Sequence, residues 1–176
     1  MKFLHVICFN LSLALLIAAP LRADSGYSFA VTRESKKLDG ERKEKSVTMQ
    51  TKDVWAYKVT LENKSFKDAE NVEIKYLVFM KPDAAGERTR DEKLVRKEGS
   101  IKVPSIKNFE KYTFTTEPVT LTGVKLQPGW SYTSGANARA KDSMSGLWLR
   151  IFVNGQQVME DINPTWLKTK ETWDAK

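Results

Sequence analysis

Leu147-Trp-Leu-Arg-Ile-Phe-Val153, then Asn154-Gly155, then Gln156-Gln-Val-Met-Glu-Asp-Ile162 reads as a β-hairpin. Apolar side chains recur at alternate positions before the Asn-Gly pair. That pair supplies the two positive-φ residues of a type I′ turn, whose twist suits paired antiparallel strands. A two-residue loop sets Val153 opposite Gln156. Continued in register, Ile151 faces Val158, Arg150 faces Met159 and Leu147 faces Ile162. One face then carries Leu147, Leu149, Ile151, Val153, Val158 and Ile162 and is assigned to the core. Trp148, Arg150, Phe152, Met159 and Asp161 fall on the other face.

The same period of two runs through the rest of the chain, and long 3.6-residue periodicity is nearly absent. Tyr27 to Thr32 alternates, and Val54 to Glu62 puts Trp55, Tyr57, Val59 and Leu61 on one side. Val72 to Met80 does the same with Val72, Ile74, Tyr76, Val78 and Met80, while Leu77 and Phe79 make its reverse side apolar as well. Phe109 to Leu121 is rich in threonine and aromatics, which suits a pleated surface, and Pro118 marks an edge or a break. Turn signals fall at Asn63-Lys-Ser65, Pro82 to Gly86, Gly99-Ser100, Pro104-Ser105, Gln127-Pro-Gly129 and Asn163-Pro164. About seven to nine strands so punctuated predict an all-β chain, an antiparallel sandwich. Residues 164–176 are expected to form a tail or short helix, with Trp166 and Trp173 as docking anchors.

The stretch from Trp55 to Phe79 resembles bacterial immunoglobulin-like and fibronectin type III-like domains, including the CARDB-type adhesion modules. The matching pattern is an apolar strand ending in an asparagine turn, a small polar loop, then Ala-x-Asn-Val-x-Val-x-Tyr. Leu61, Asn63, Ala69, Asn71, Val72, Ile74 and Tyr76 carry it. The resemblance implies an immunoglobulin/fibronectin type III sandwich, and no ligand site comes with it. The charged stretch 81–98, read as a long loop, departs from the compact module.

Residues 1–23 have the layout of a secretory signal peptide: Lys2, an apolar run from Phe3 to Ala19, then Pro20-Leu-Arg-Ala23. The expected mature chain is one domain, residues 24–176, exported to periplasm, cell surface or medium, with no stable membrane span after cleavage. Its size allows a substantial core without disulfides. The single cysteine and single histidine of the chain, Cys8 and His5, lie in the leader. The full chain carries +7, and losing Lys2 and Arg22 leaves +5. Arg33–Lys45 and Lys81–Glu98 mix signs, so the charge reads as dispersed over loops or edge strands and nucleic acid is not expected as a partner.

Without imidazole or thiol, a histidine-dependent triad cannot be built, and no Gly-x-Ser-x-Gly or Ser-x-x-Lys motif is present. Ser143 and Ser145 near Lys141 are read as part of a flexible loop rather than a Ser-Lys dyad. A carboxylate pair for glycoside chemistry needs only Asp or Glu, and Glu160, sharing parity with the hairpin's core face, is the least ordinary carboxylate. Asp83, Asp91 and Glu92 share a loop but form no calcium-loop motif, and no metal or other cofactor is expected.

Aromatic residues carry the binding interpretation. Trp148 and Phe152 flank Arg150 on the reverse face of the hairpin: an open face would offer a sugar-stacking platform. A covered face would be further core, with Arg150 held by Asp161 and Trp166 as the cover, and this reading is preferred. Trp130 and Tyr132 lie in a turn-rich loop at an end of the sandwich, where recognition is often placed, although a tryptophan there can also act as a lid on the core. Asn63-Lys-Ser65 satisfies the N-glycosylation sequon. The function expected is a non-catalytic interaction module. A protein partner in an envelope or secreted assembly ranks ahead of a glycan, and a carboxylate-dependent glycan-active enzyme is the alternative class.

Overall fold

The computed structural model describes residues 26–83 and 93–174. Residues 1–23, read above as a leader, and Asp91 and Glu92 lie outside these residues. Nine strands form among these residues: β1 (Phe29–Glu44), β2 (Thr48–Asn63), β3 (Ala69–Lys81), β4 (Val95–Ile106), β5 (Lys111–Thr115), β6 (Val119–Leu126), β7 (Arg139–Lys141), β8 (Ser143–Val153) and β9 (Gln156–Asn163). One short helix, α1 (Leu167–Lys170), follows. Two antiparallel sheets result. In the first, β1 pairs with one edge of β2, while β5 and β6 share the other edge, and β7 pairs with β6. The second has the order β4-β3-β8-β9. The chain is an all-β sandwich.

The two sheets enclose Val59, Leu61, Val72, Ile74, Val78, Leu147, Leu149 and Ile151, all essentially inaccessible to solvent. On the reverse of the second sheet, Leu77, Phe79 and Trp148 form a smaller cluster with Leu167. This explains why β3 is apolar on both faces. Arg33 on β1 reaches Asp161 on β9 at 2.8 and 3.0 Å, tying the sheets together along one side.

The hairpin turn forms as expected, with Asn154 at φ 50° and Gly155 at φ 78°, and Val153 pairs with Gln156. The register beyond it differs. A bulge shifts the pairing by one residue, so Ile151 faces Met159, Arg150 faces Glu160 and Trp148 faces Ile162. A single extra residue reverses the faces of everything after it. Met159 therefore packs on the main core, Ile162 moves to the smaller cluster, and Glu160 lies with Arg150 on the reverse face rather than on the core side.

Other corrections have equally local causes. Gly99-Ser100 and Pro104-Ser105 are not turns but lie inside β4. Gly99 is opposite Tyr76, whose ring occupies the space a Cβ would need. Pro104 is tolerated because β4 is an edge strand. The stretch 81–98 is not wholly loop, since β3 continues to Lys81 and β4 starts at Val95. Ser143 and Ser145 belong to β8. Pro118 does mark a break: Thr116-Glu117-Pro118 interrupts what would otherwise be one strand along β2, and Thr116 Oγ1 accepts the Tyr57 N–H at 3.0 Å.

Candidate functional site

Every strand end must satisfy the backbone groups that leave the ladder. At the end where β2 turns into β3, one side chain does most of this. Asn63 is fully buried, and its amide nitrogen lies 3.0 Å from the Lys67 carbonyl, 3.1 Å from that of Ile106 and 3.2 Å from that of Lys107. Its Oδ1 accepts the Ser65 N–H at 3.0 Å and also the Ser65 hydroxyl. The Phe109 N–H donates to the Asn63 carbonyl at 2.8 Å, and the Asn108 N–H donates to Asp68 Oδ1 at 2.9 Å. Asn63 thus binds the β2–β3 loop to the β4–β5 loop. A glycan on its nitrogen would displace three carbonyl partners, so the sequon is closed in the folded chain.

These two loops present a feature the sequence reading missed. Phe66 is 89% exposed and Phe109 53% exposed, and their rings meet edge to face with centroids 5.5 Å apart. Phe109 also has φ 59°, a left-handed conformation that is an outlier for a bulky residue. About half of Phe109 stays exposed, so burial alone does not account for a phenylalanine in this backbone conformation. Backbone strain held by a rigid surround is a mark of functional positions. The only sequence signal was two phenylalanines near turn residues, Asn63-Lys-Ser-Phe66 and Lys107-Asn-Phe109, which periodicity alone cannot place together.

The Trp148-Arg150-Phe152 face is covered in part. Trp148 is buried, with Trp173 edge to face on it at 5.6 Å. The cover is Trp173 with Leu167. Trp166, expected to fill that role, stays largely exposed. Arg150 does not reach Asp161. Its Nε donates to Glu160 Oε1 at 2.9 Å, and its guanidinium lies 4.5 Å from the Trp173 ring centre. Asp161 is taken by Arg33 because the bulge turns it to the other face. Burial would raise the Glu160 carboxyl pKa, but hydrogen bonds from Arg150 and Lys168 bring it below its ordinary value. Phe152 remains half-buried beside the Lys75 ammonium.

Trp130 and Tyr132 sit between β6 and β7 at the far end of β2 from Asn63. Trp130 is 56% exposed and is no lid on the core, while Tyr132 is half-buried. The loop is anchored by Gln127 N–H to the Val47 carbonyl at 2.9 Å, and by Leu126 N–H to that of Ala138 at 2.9 Å. Nearby, Asp53 is shared by Lys37 at 2.7 Å and Lys141 at 3.1 Å. The Lys37 hydrogen bond, aided by Lys141, lowers its pKa against the opposing effect of burial. The structure therefore leaves the five aromatic-site candidates in two separate places, one covered in part and the other with Trp130 exposed. Among the described residues, no group of three or more acidic, histidine or cysteine side chains is placed to hold a metal.

No family model matches the chain, and no curated protein matches it. Two solved structures are similar in outline. One is a Northeast Structural Genomics Consortium target, 12% identical, over 79% of this chain and 83% of that one, with a TM-score of 0.42. The other is a Bordetella pertussis protein that carries the name ApaA, 12% identical, over 77% and 92%, with a TM-score of 0.38. Likenesses this distant say nothing about function.

Proposed function

We propose that this protein is an exported, non-catalytic interaction module of a cell-envelope or secreted assembly, and that a protein partner docks on the Phe66–Phe109 end. The observation that carries this reading is an almost fully exposed phenylalanine packed on a second one held at positive φ. Both are fixed by a buried asparagine network rather than left on mobile side-chain stems. Aromatic anchors displayed rigidly contribute binding energy at little entropic cost. Lys64, Lys67, Asp68, Lys107 and Glu110 lie within two residues of one or other ring in the chain and bring both signs of charge to these loops, as at the polar rim of an interface. The expected partner surface is a recess lined by apolar side chains. Export rests on the leader-like residues 1–23, and the immunoglobulin-like relationship on the motif from Leu61 to Tyr76.

Affinity recovery of the tagged protein from its native envelope tests the reading. Phe66→Ser and Phe109→Gly are expected to lose a partner that Thr113→Ser retains, with all three melting like the parent within about 1 kcal/mol. Retention of every co-purifying protein by both variants would sink it.

Carbohydrate binding is the second reading, and one observation favours it. A groove of about 410 Å3 runs over the reverse of the second sheet, where Trp173 stands beside Glu73, Lys75, Glu98 and Ser100. Retardation in a polysaccharide gel that Glu98→Gln abolishes and Phe66→Ser leaves intact would support it.

A further inference from the structure

The charge that reads as dispersed along the sequence is gathered by the fold. Pairing of β1, β2, β6 and β7 brings residues 41–50 beside 124–141. There Arg42, Lys125, Arg139 and Lys141 share one face with Glu44 and Asp53, and Lys45 stands in the β1–β2 turn, a net of +3 from five cations and two carboxylates, while Glu41 and Lys43 point to the other face. Glu41 and Glu44 are taken by Lys43 and Arg42, each at 3.0 Å, and Lys141 is held by Asp53 at 3.1 Å. Among the described residues, Lys45, Lys125 and Arg139 have no carboxylate partner.

Two of these cations are placed against their own interest. Lys125 and Arg139 are directly opposite across the β6–β7 pair, where like charges repel. With Lys141, Met49, Thr51 and Gly123 they line a groove of about 190 Å3. A Cβ on Gly123 would lie 2.5 Å from Thr51 Oγ1, so glycine lets the groove floor form. The loop between these two cations, 127–138, has no charged residue and presents an exposed Trp130, with Tyr132 half-buried. Cations at the two ends of a loop that exposes an indole match the boundary of an anionic bilayer, where phosphates meet cations and amphipathic rings settle at headgroup depth. A soluble polyanion explains the cations but not the uncharged aromatic loop.

We propose that this end of the first sheet is a membrane-contact site: Lys125 and Arg139 take lipid phosphate, and Trp130 enters the headgroup layer of an anionic membrane. The test is co-sedimentation of the purified full chain with mixed phosphatidylglycerol–phosphatidylcholine vesicles and with pure phosphatidylcholine vesicles. Binding to the mixed vesicles, weakened by salt, is expected. Lys125→Gln with Arg139→Gln should weaken it about thirtyfold, and Lys45→Gln and Trp130→Ala about fivefold each. The variants share every other residue, so any contribution of the apolar leader cancels, and unchanged melting curves exclude misfolding. Brominated acyl chains should quench fluorescence in the parent more than in Trp130→Phe. Equal affinity of parent and variants, or variant-sensitive binding to heparin with none to the mixed vesicles, overturns the proposal.

Discussion

Asn63 shows how much one side chain can organise. It closes two loops by itself, because a primary amide has donors for carbonyls on one side and an acceptor for Ser65 on the other. Asn63→Ala should cost about 2–4 kcal/mol in a denaturant titration, since it leaves buried carbonyls without donors. Phe109→Gly should behave in the opposite way. Relief of the left-handed backbone offsets the lost ring contact, so stability stays level or rises by up to about 1 kcal/mol. Asp53 sets a pH dependence. Its folded pKa lies below its unfolded one, so its contribution is complete above about pH 4 and disappears as pH falls through the folded value. Asp53→Asn should therefore flatten the acid limb of a melting-temperature profile and change its slope little at neutral pH. None of these roles could be read from residue type alone. The asparagine turn at position 63 was visible, but the three carbonyls it serves come from segments 4 to 44 residues away.

Among the elements, those with strong local signals were legible. Asn154-Gly155 gave its turn, and the alternation in β2, β3 and β8 gave their core faces. The bulge in β9 was not legible, because Val158-Met159 alternates equally well in either register until the partner strand fixes it. Gly99 and Pro104 misled for a related reason. Glycine and proline usually end strands, but here one yields to the Tyr76 ring and the other sits on an edge. Replacing Gly99 by valine should accordingly cost at least about 2 kcal/mol, measured by thermal melting, although a turn position would accept it more readily. The tail behaves as part of the fold. Trp173→Ala uncovers Trp148 and should cost about 3 kcal/mol by the same measurement.

On the scale of the whole molecule, β2 is the axis. Its 16 residues span about 50 Å, with Asn63 and the Phe66–Phe109 pair at one end and the cationic Trp130 end at the other. Neither end could be assembled from the sequence, since each joins segments far apart in the chain. Sequence periodicity located the layers but not what lies at their ends. The two proposals together make the molecule a spacer, with one end for a membrane and the other for a partner. The claim at its centre is that the phenylalanine end is an interface. Photo-crosslinking in cells of the source organism, with benzoylphenylalanine at position 66 and, as a control, at the exposed Thr113, tests it most directly. The account predicts one discrete protein adduct from position 66 and none from position 113. No adduct at 66, or the same adducts at both positions, would contradict it.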